Sequence, residues 1–287
     1  MKSYTKSIQG IETEFLVSEG AGDPVFFFHG NSSGADAYTD LLQSEVGEKY
    51  QLVSVSLPGH GKTDLPEQYR QEFSIADIGA FTVDVIKDYN PDRYLLVGQS
   101  LGGHALLESL PQHTKAAGLC LISAPPFSLN TIGDAFLEDP TGGLLFQNVL
   151  TDDEVKTFAR AFVSHDSAES MLSLMQSIRE TDGVFRSALG QSLANGKVLD
   201  EIQLLKEFKR PTWILQGLED QFIAKDYYQA LAGYGLSVEL KPFVNTGHAI
   251  QLDSAVLFAT TIEHFILRCF SSNDESMQPN VEVEYEH

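Results

Sequence analysis

The residues with the clearest chemical potential lie in Tyr94-Leu95-Leu96-Val97-Gly98-Gln99-Ser100-Leu101-Gly102-Gly103. A run of strand formers enters Gly98-Gln99-Ser100-Leu101-Gly102, and His104-Ala105-Leu106-Leu107-Glu108 continues as a helix. Strand, tight turn and helix form the setting that a G-x-S-x-G nucleophile elbow requires. A turn this sharp strains the serine backbone and brings neighbouring chain close, so side chains at positions 98 and 102 would collide. The serine hydroxyl is then held at the tip. The N–H of Leu101 points at the same place, where the helix dipole favours negative charge.

A serine hydroxyl needs a base within hydrogen-bond reach, and that base needs an orienting acid. Among eight histidines, His248 follows a predicted strand and a glycine, Gly247, and is the expected base. His104 is expected to pack on the elbow helix, and His60 to hydrogen-bond within its own loop. The acid comes after the strand ending at Gln216, where Glu219 and Asp220 compete. Asp220 is preferred because it completes a Gly-x-x-Asp spacing from Gly217, and Glu219 is the alternative. The order Ser, Asp or Glu, His matches that of strand-to-helix elbow enzymes. The oxyanion of a tetrahedral intermediate needs two donors. Leu101 N–H supplies one. The loop His29-Gly30-Asn31 supplies the other, with Asn31 named for its backbone N–H, aided by its side chain. Gly30 lets that backbone approach the substrate.

Behind these loops the chain alternates strands and helices. Residues 4–7 and 11–18 read as an exposed hairpin turning at Gln9-Gly10. Val25-Phe26-Phe27-Phe28 is a continuous apolar run, as in a strand buried on both faces. Strands follow at 51–57, 94–97, 118–123, 212–216 and 237–243, with helices at 38–46, 74–89, 104–110, 226–231 and 253–270 between and after them. This pattern predicts an α/β fold, a mostly parallel central sheet with helices on both faces and catalytic loops at the strands' carboxyl ends. From Pro125 to Lys209 no buried strand is read. Thr151-Asp152-Asp153-Glu154 opens a helix with a capping box, and residues 167–179, 183–193 and 200–208 are also helical. The division is therefore a core at 1–124 and 210–270, an inserted all-helical cap at 125–209, and an acidic tail at 271–287.

Composition bounds the rest. The 287 residues are 43% apolar and 21% charged, enough for one large domain with a substantial core. The net charge is −21, from 40 acidic and 19 basic residues. Nucleic acid and anionic membrane surfaces are excluded as partners by that field, and a small neutral substrate suits it. Cys120 and Cys269 lie in apolar stretches and form no disulfide framework, which fits a reducing, cytoplasmic location. There is no H-E-x-x-H, no C-x-x-C, no Walker A loop and no G-x-G-x-x-G, so no metal and no cofactor is expected. The tail has no apolar periodicity. Its removal is expected to leave melting temperature and activity nearly unchanged, and a large fall in melting temperature would refute this.

His29-Gly30, Pro58-Gly59-His60-Gly61, the elbow, Asp220 and Gly247-His248 together resemble the α/β-hydrolase superfamily over residues 1 to about 270. Within it the chain is most similar to the metal-independent N-acyl-homoserine lactonases, through His29-Gly30-Asn31-Ser32-Ser33, Ser100-Leu101-Gly102-Gly103-His104, the Pro125-Pro126 entry to the cap, and cap residues 152–160 and 181–183. The resemblance implies a serine hydrolase opening acyl lactones through Ser100, His248 and Asp220. Two positions depart from it. The related lactonase has the two acid types of Glu219-Asp220 reversed and uses the glutamate. Phe158 stands where a tyrosine lines the substrate tunnel. A general carboxylesterase is the alternative, and a non-catalytic ligand receptor of the same fold a third. Acyl length and oligomeric state are not legible in the sequence.

Overall fold

The computed structural model describes residues 1–138, 140–165 and 167–270. The expected tail at 271–287 lies outside them. Eight strands form one sheet in the order β1-β2-β4-β3-β5-β6-β7-β8. They are β1 (Lys2–Ile8), β2 (Ile11–Val17), β3 (Ala21–Phe28), β4 (Tyr50–Val55), β5 (Tyr94–Gln99), β6 (Ala116–Ile122), β7 (Thr212–Gly217) and β8 (Glu239–Phe243). β1 and β2 pair antiparallel, as do β2 and β4, and every other pair is parallel.

The helices are α1 (Thr39–Gln43), α2 (Glu45–Lys49), α3 (Ile75–Tyr89), α4 (Leu101–Ser109), α5 (Ile132–Ala135), α6 (Asp152–Ala161), α7 (Ala168–Glu180), α8 (Gly183–Ala194), α9 (Glu201–Glu207), α10 (Lys225–Ala230), α11 (Ile250–Asp253) and α12 (Ala255–Phe270). Two expected helices are broken. The stretch 38–46 divides at Ser44, and 253–270 begins only after Ser254; both serines have non-helical backbones. Ser44 recaps α2 by accepting the Val46 N–H, which satisfies a donor the first helix cannot. The capping box expected at Thr151 and Glu154 forms, and a second one forms at Ser74 and Asp77.

The central strands are buried on both faces. Phe26 and Phe28 of β3 pack into one core with α3, α4 and the helical segment. Val25 and Phe27, pointing the other way by the two-residue strand period, join the second core with α1, α2 and α12. β3 lies between β4 and β5, so the connections leave it in opposite directions. That is the topological switch point of an open α/β sheet, where a crevice opens beyond the strands' carboxyl ends. The loops after β3 and β5 meet there.

Between β6 and β7 the described residues contain no strand. A single antiparallel bridge joins Phe136 to Ile223. A buried cation on α8 braces the segment internally and fastens it to the loop after β3. Arg186 donates to the carbonyls of Ile178 and Gln147 and to Ser32 Oγ.

One buried acid belongs to the fold alone. Glu108 on α4 accepts the Leu199 N–H at 2.9 Å, and its other oxygen has no partner. Burial pushes its carboxyl up to about 8. A carboxyl raised on folding contributes stability that is intact below its unfolded value and is lost as pH rises through about 8. Glu108→Gln keeps the acceptor for Leu199 and carries no charge. It should therefore raise the melting temperature at pH 8 and much less at pH 5, as a pH series of thermal melts would read.

Candidate active site

Ser100 sits between β5 and α4 with φ 46° and ψ −119°, a conformation costly for any residue with a side chain. The surroundings leave no alternative. A Cβ on Gly98 would meet Gly103 Cα at 2.6 Å, and one on Gly102 would meet the Phe28 carbonyl at 2.3 Å. The turn is pinned by Ser100 N–H donating to the Ile122 carbonyl at 2.8 Å, and by His104 N–H donating to the Ser100 carbonyl at 2.9 Å. Leu101 is the first residue of α4, so its N–H belongs to the unsatisfied first turn of the helix.

His248 and Asp220 come together from two loops. A Cβ on Gly217 would lie 2.0 Å from the Gly247 carbonyl, so the end of β7 and the loop after β8 touch through bare backbone. Asp220 is buried, and its Oδ1 accepts the N–H groups of Phe222 and Ile223 at 2.8 and 3.2 Å. Its Oδ2 accepts from His248 Nδ1 at 2.8 Å. Those two N–H bonds hold the carboxylate still, and the carboxylate fixes the imidazole with Nε2 as its free nitrogen. Glu219 is half exposed and lies 3.8 Å from Lys225, out of contact with His248. The spacing from Gly217 thus selected the residue that reaches the imidazole.

Residues that sequence reasoning passed over hold His248 in place. Its carbonyl accepts from Gln99 Nε2 at 3.3 Å and from Ser123 Oγ at 3.0 Å. Its ring packs edge-on against Phe222 and Phe162, with centroids 4.9 and 5.6 Å away. Gln99 directly precedes Ser100, so the elbow and the histidine loop are joined side by side. Among the described residues no hydrogen bond reaches Ser100 Oγ; nucleophile and base contacts in unliganded sites commonly tighten only with substrate. The positive φ of Ser123, 48°, belongs to this same junction and has no signature in the sequence.

The loop after β3 forms the facing wall. A Cβ on Gly30 would stand 3.3 Å from Ser100 Cβ, so glycine there lets backbone pass beside the hydroxyl. Asn31 is buried, but its side chain is already engaged. Nδ2 donates to the Leu145 carbonyl at 2.8 Å, and Oδ1 accepts from Ser32 Oγ. These bonds fix the amide but use only one of its two N–H groups, and the Asn31 backbone N–H is the candidate oxyanion donor. His29 and His60 buttress the loop as neutral rings. His29 Nε2 accepts the Leu57 N–H and His60 Nε2 accepts the Ser32 N–H. Burial lowers both, His29 to about 4.

A cavity of about 420 Å³ opens from Ser100, Leu101 and Asn31. Phe127, Phe136, Phe146 and Phe222 are on its wall. Phe158 is not. It is fully buried against Phe162, and its ring meets the wall residue Phe222 edge-on, at 6.4 Å between centroids. The expected contact of Phe158 with substrate is thereby replaced by a packing role, since α6 turns that position inward. His104, expected to pack, is on the wall and pairs with buried Glu201. Among the described residues no group of histidine, cysteine and acidic side chains is placed to hold a metal ion. None of their helices is long and apolar enough to cross a membrane.

This geometry agrees with what the chain matches. The model of the alpha/beta hydrolase family matches residues 25–261, and the chain belongs to that family. The 2-hydroxymuconate semialdehyde hydrolase of Pseudomonas sp. (strain CF600) is 24% identical over 90% of this chain and 91% of its own length. Among solved structures, a mutant of the N-acyl homoserine lactonase AidH complexed with N-hexanoyl homoserine lactone superposes with a TM-score of 0.85. It is 22% identical, with 94% of this chain and 99% of that one covered. A putative aryl esterase from Burkholderia cenocepacia follows at 0.81 and 18% identity, covering 94% of this chain and all of that one.

Proposed function

We propose that the protein is a serine ester hydrolase that opens the lactone ring of N-acyl-homoserine lactones. The observation that carries this reading is a strained serine beside an Asp220–His248 pair, opening into an apolar cavity walled by phenylalanines. Ser100 Oγ attacks the ring carbonyl while His248 Nε2 takes its proton, and Asp220 stabilises the imidazolium. The negative oxygen is received by the N–H groups of Leu101 and Asn31, one such donor typically contributing about 3 kcal/mol. Collapse expels the ring oxygen, which takes the proton from His248. Water activated by His248 then releases the open-chain acyl-homoserine.

The segment 125–209 serves in this reading as a cap over the strand ends, contributing Phe127, Phe136 and Phe146 to a tunnel for the acyl chain. The cavity volume falls in the ~300–1,000 Å³ range of small-molecule sites. A neutral lactone meets no repulsion from a chain of net charge −21. The likeness to lactonase structures holding N-hexanoyl and N-butanoyl ligands favours lactones. The likeness to esterases keeps simple esters as the second reading.

Purified protein is expected to open N-acyl-homoserine lactones without added metal and after chelator treatment. Acidifying the product should re-form the lactone, which separates ring opening from amide cleavage. Brisk hydrolysis of p-nitrophenyl acetate with lactones of every chain length left intact would transfer the assignment to a carboxylesterase.

A further inference from the structure

Among the described residues, the side chains on the cavity wall are apolar except at Asn31, Ser100, His104 and Glu138. Glu138 is exposed to water, and the Asn31 amide is held by Leu145 and Ser32. His104 differs from both. Its side chain is buried, its ring packs on Phe127 at 4.6 Å, and its Nε2 is a buried nitrogen with no hydrogen-bond partner. No other unpartnered buried side-chain atom among the described residues belongs to a residue on this wall.

The opposite edge of the ring is fixed. His104 Nδ1 lies 3.1 and 3.0 Å from the two oxygens of Glu201, and Glu201 Oε2 also accepts the Phe127 N–H at 3.0 Å. Burial pushes the Glu201 carboxyl up, and His104 and the Phe127 N–H offset only part of that rise. With Glu201 ionised and the ring neutral, the carboxylate can only accept, so the ring proton resides on Nδ1 and Nε2 presents a lone pair. An acceptor buried without a partner costs free energy, which a ligand donor at that point would offset.

We propose that His104 is the polar recognition point of the cavity, its Nε2 accepting a hydrogen bond from a hydroxyl carried on the substrate's acyl chain. This rests on the ester-hydrolase reading above. His104 follows Ser100 by one helical turn, about 5–6 Å along α4. A hydroxyl on the third carbon of the acyl chain of an N-acyl-homoserine lactone lies at a comparable remove from the ring carbonyl. A ketone at the same carbon offers no proton and leaves Nε2 unpaired, so the site should prefer hydroxyl over both ketone and methylene.

The test compares kcat/KM for N-hexanoyl-homoserine lactone and its 3-hydroxy and 3-oxo forms. Beside them run p-nitrophenyl hexanoates with a hydroxyl moved along the chain from the third to the sixth carbon. Wild type should favour the hydroxylated member of one series by about tenfold, the scale of one buried hydrogen bond. His104→Phe should bring that ratio close to one. Glu201→Gln is the second variant. Its amide oxygen can keep the Phe127 N–H while its NH₂ donates to His104 Nδ1, which moves the ring proton to Nε2. The preference should then pass from hydroxyl to ketone, a gain that mere damage to the fold would not produce. Wild type indifferent to hydroxyl position in both series, or preferring ketone, overturns the proposal. If lactones resist but the ester series shows the preference, the lactone assignment fails and the role of His104 stands.

Discussion

Ser100→Ala is expected to abolish hydrolysis, with kcat falling on the order of 10⁶-fold, the loss seen when a serine protease nucleophile is removed. The fold should be unaffected, because alanine removes one oxygen and no hydrogen bond reaches Ser100 Oγ among the described residues. Ser100→Gly sharpens the test. At φ 46° and ψ −119° glycine relieves strain that serine and alanine both bear, a cost of about 1–3 kcal/mol. The glycine variant should thus melt higher than either while remaining inactive. Thermal melts and a substrate assay on the three proteins decide it. Turnover by folded Ser100→Ala at more than a few per cent of wild type would remove Ser100 from the mechanism.

Asp220→Asn is expected to lower kcat about 10⁴-fold, by analogy with the same change in a serine protease triad. The asparagine oxygen can still accept the N–H groups of Phe222 and Ile223, now made to Oδ1. Its NH₂ then faces His248 Nδ1 where Oδ2 accepts today. The imidazole must take the other tautomer, with its proton on Nε2, and cannot accept the serine proton. Glu219→Gln should change the rate less than twofold, since Glu219 has only a long contact with Lys225 at the surface, of the kind worth little. If Glu219→Gln proves the damaging change and Asp220→Asn the mild one, the acid has been assigned to the wrong neighbour.

The elements with local signatures were legible in the sequence. Val25-Phe26-Phe27-Phe28 could only be a strand covered on both sides, and Ser74 and Thr151 marked helix starts by capping chemistry that involves residues three apart. The elbow was legible in part for the same reason, because glycine at 98 is demanded by the backbone of Gly102 and Gly103 within the same turn, whereas glycine at 102 answers the Phe28 carbonyl of a neighbouring strand. Asp220 and His248 could be named from their positions after strands, since a parallel sheet delivers such loops to one edge.

What tertiary structure alone decided are matters of distance between residues far apart in the chain. The spacing from Gly217 favoured Asp220 over Glu219, and packing supplied the contact itself, with His248 Nδ1 at 2.8 Å from Asp220 Oδ2. Phe158 on α6 is buried away from the cavity while Phe127, Phe136 and Phe146 line it, although all four are equally apolar, because which side each segment buries is set by what it packs against. The Asn31 amide is held by Leu145, 114 residues away. His104 and Glu201, 97 residues apart, carry no spacing that would link them. A buried carboxylate and a ring nitrogen find each other only once the helices bearing them have packed.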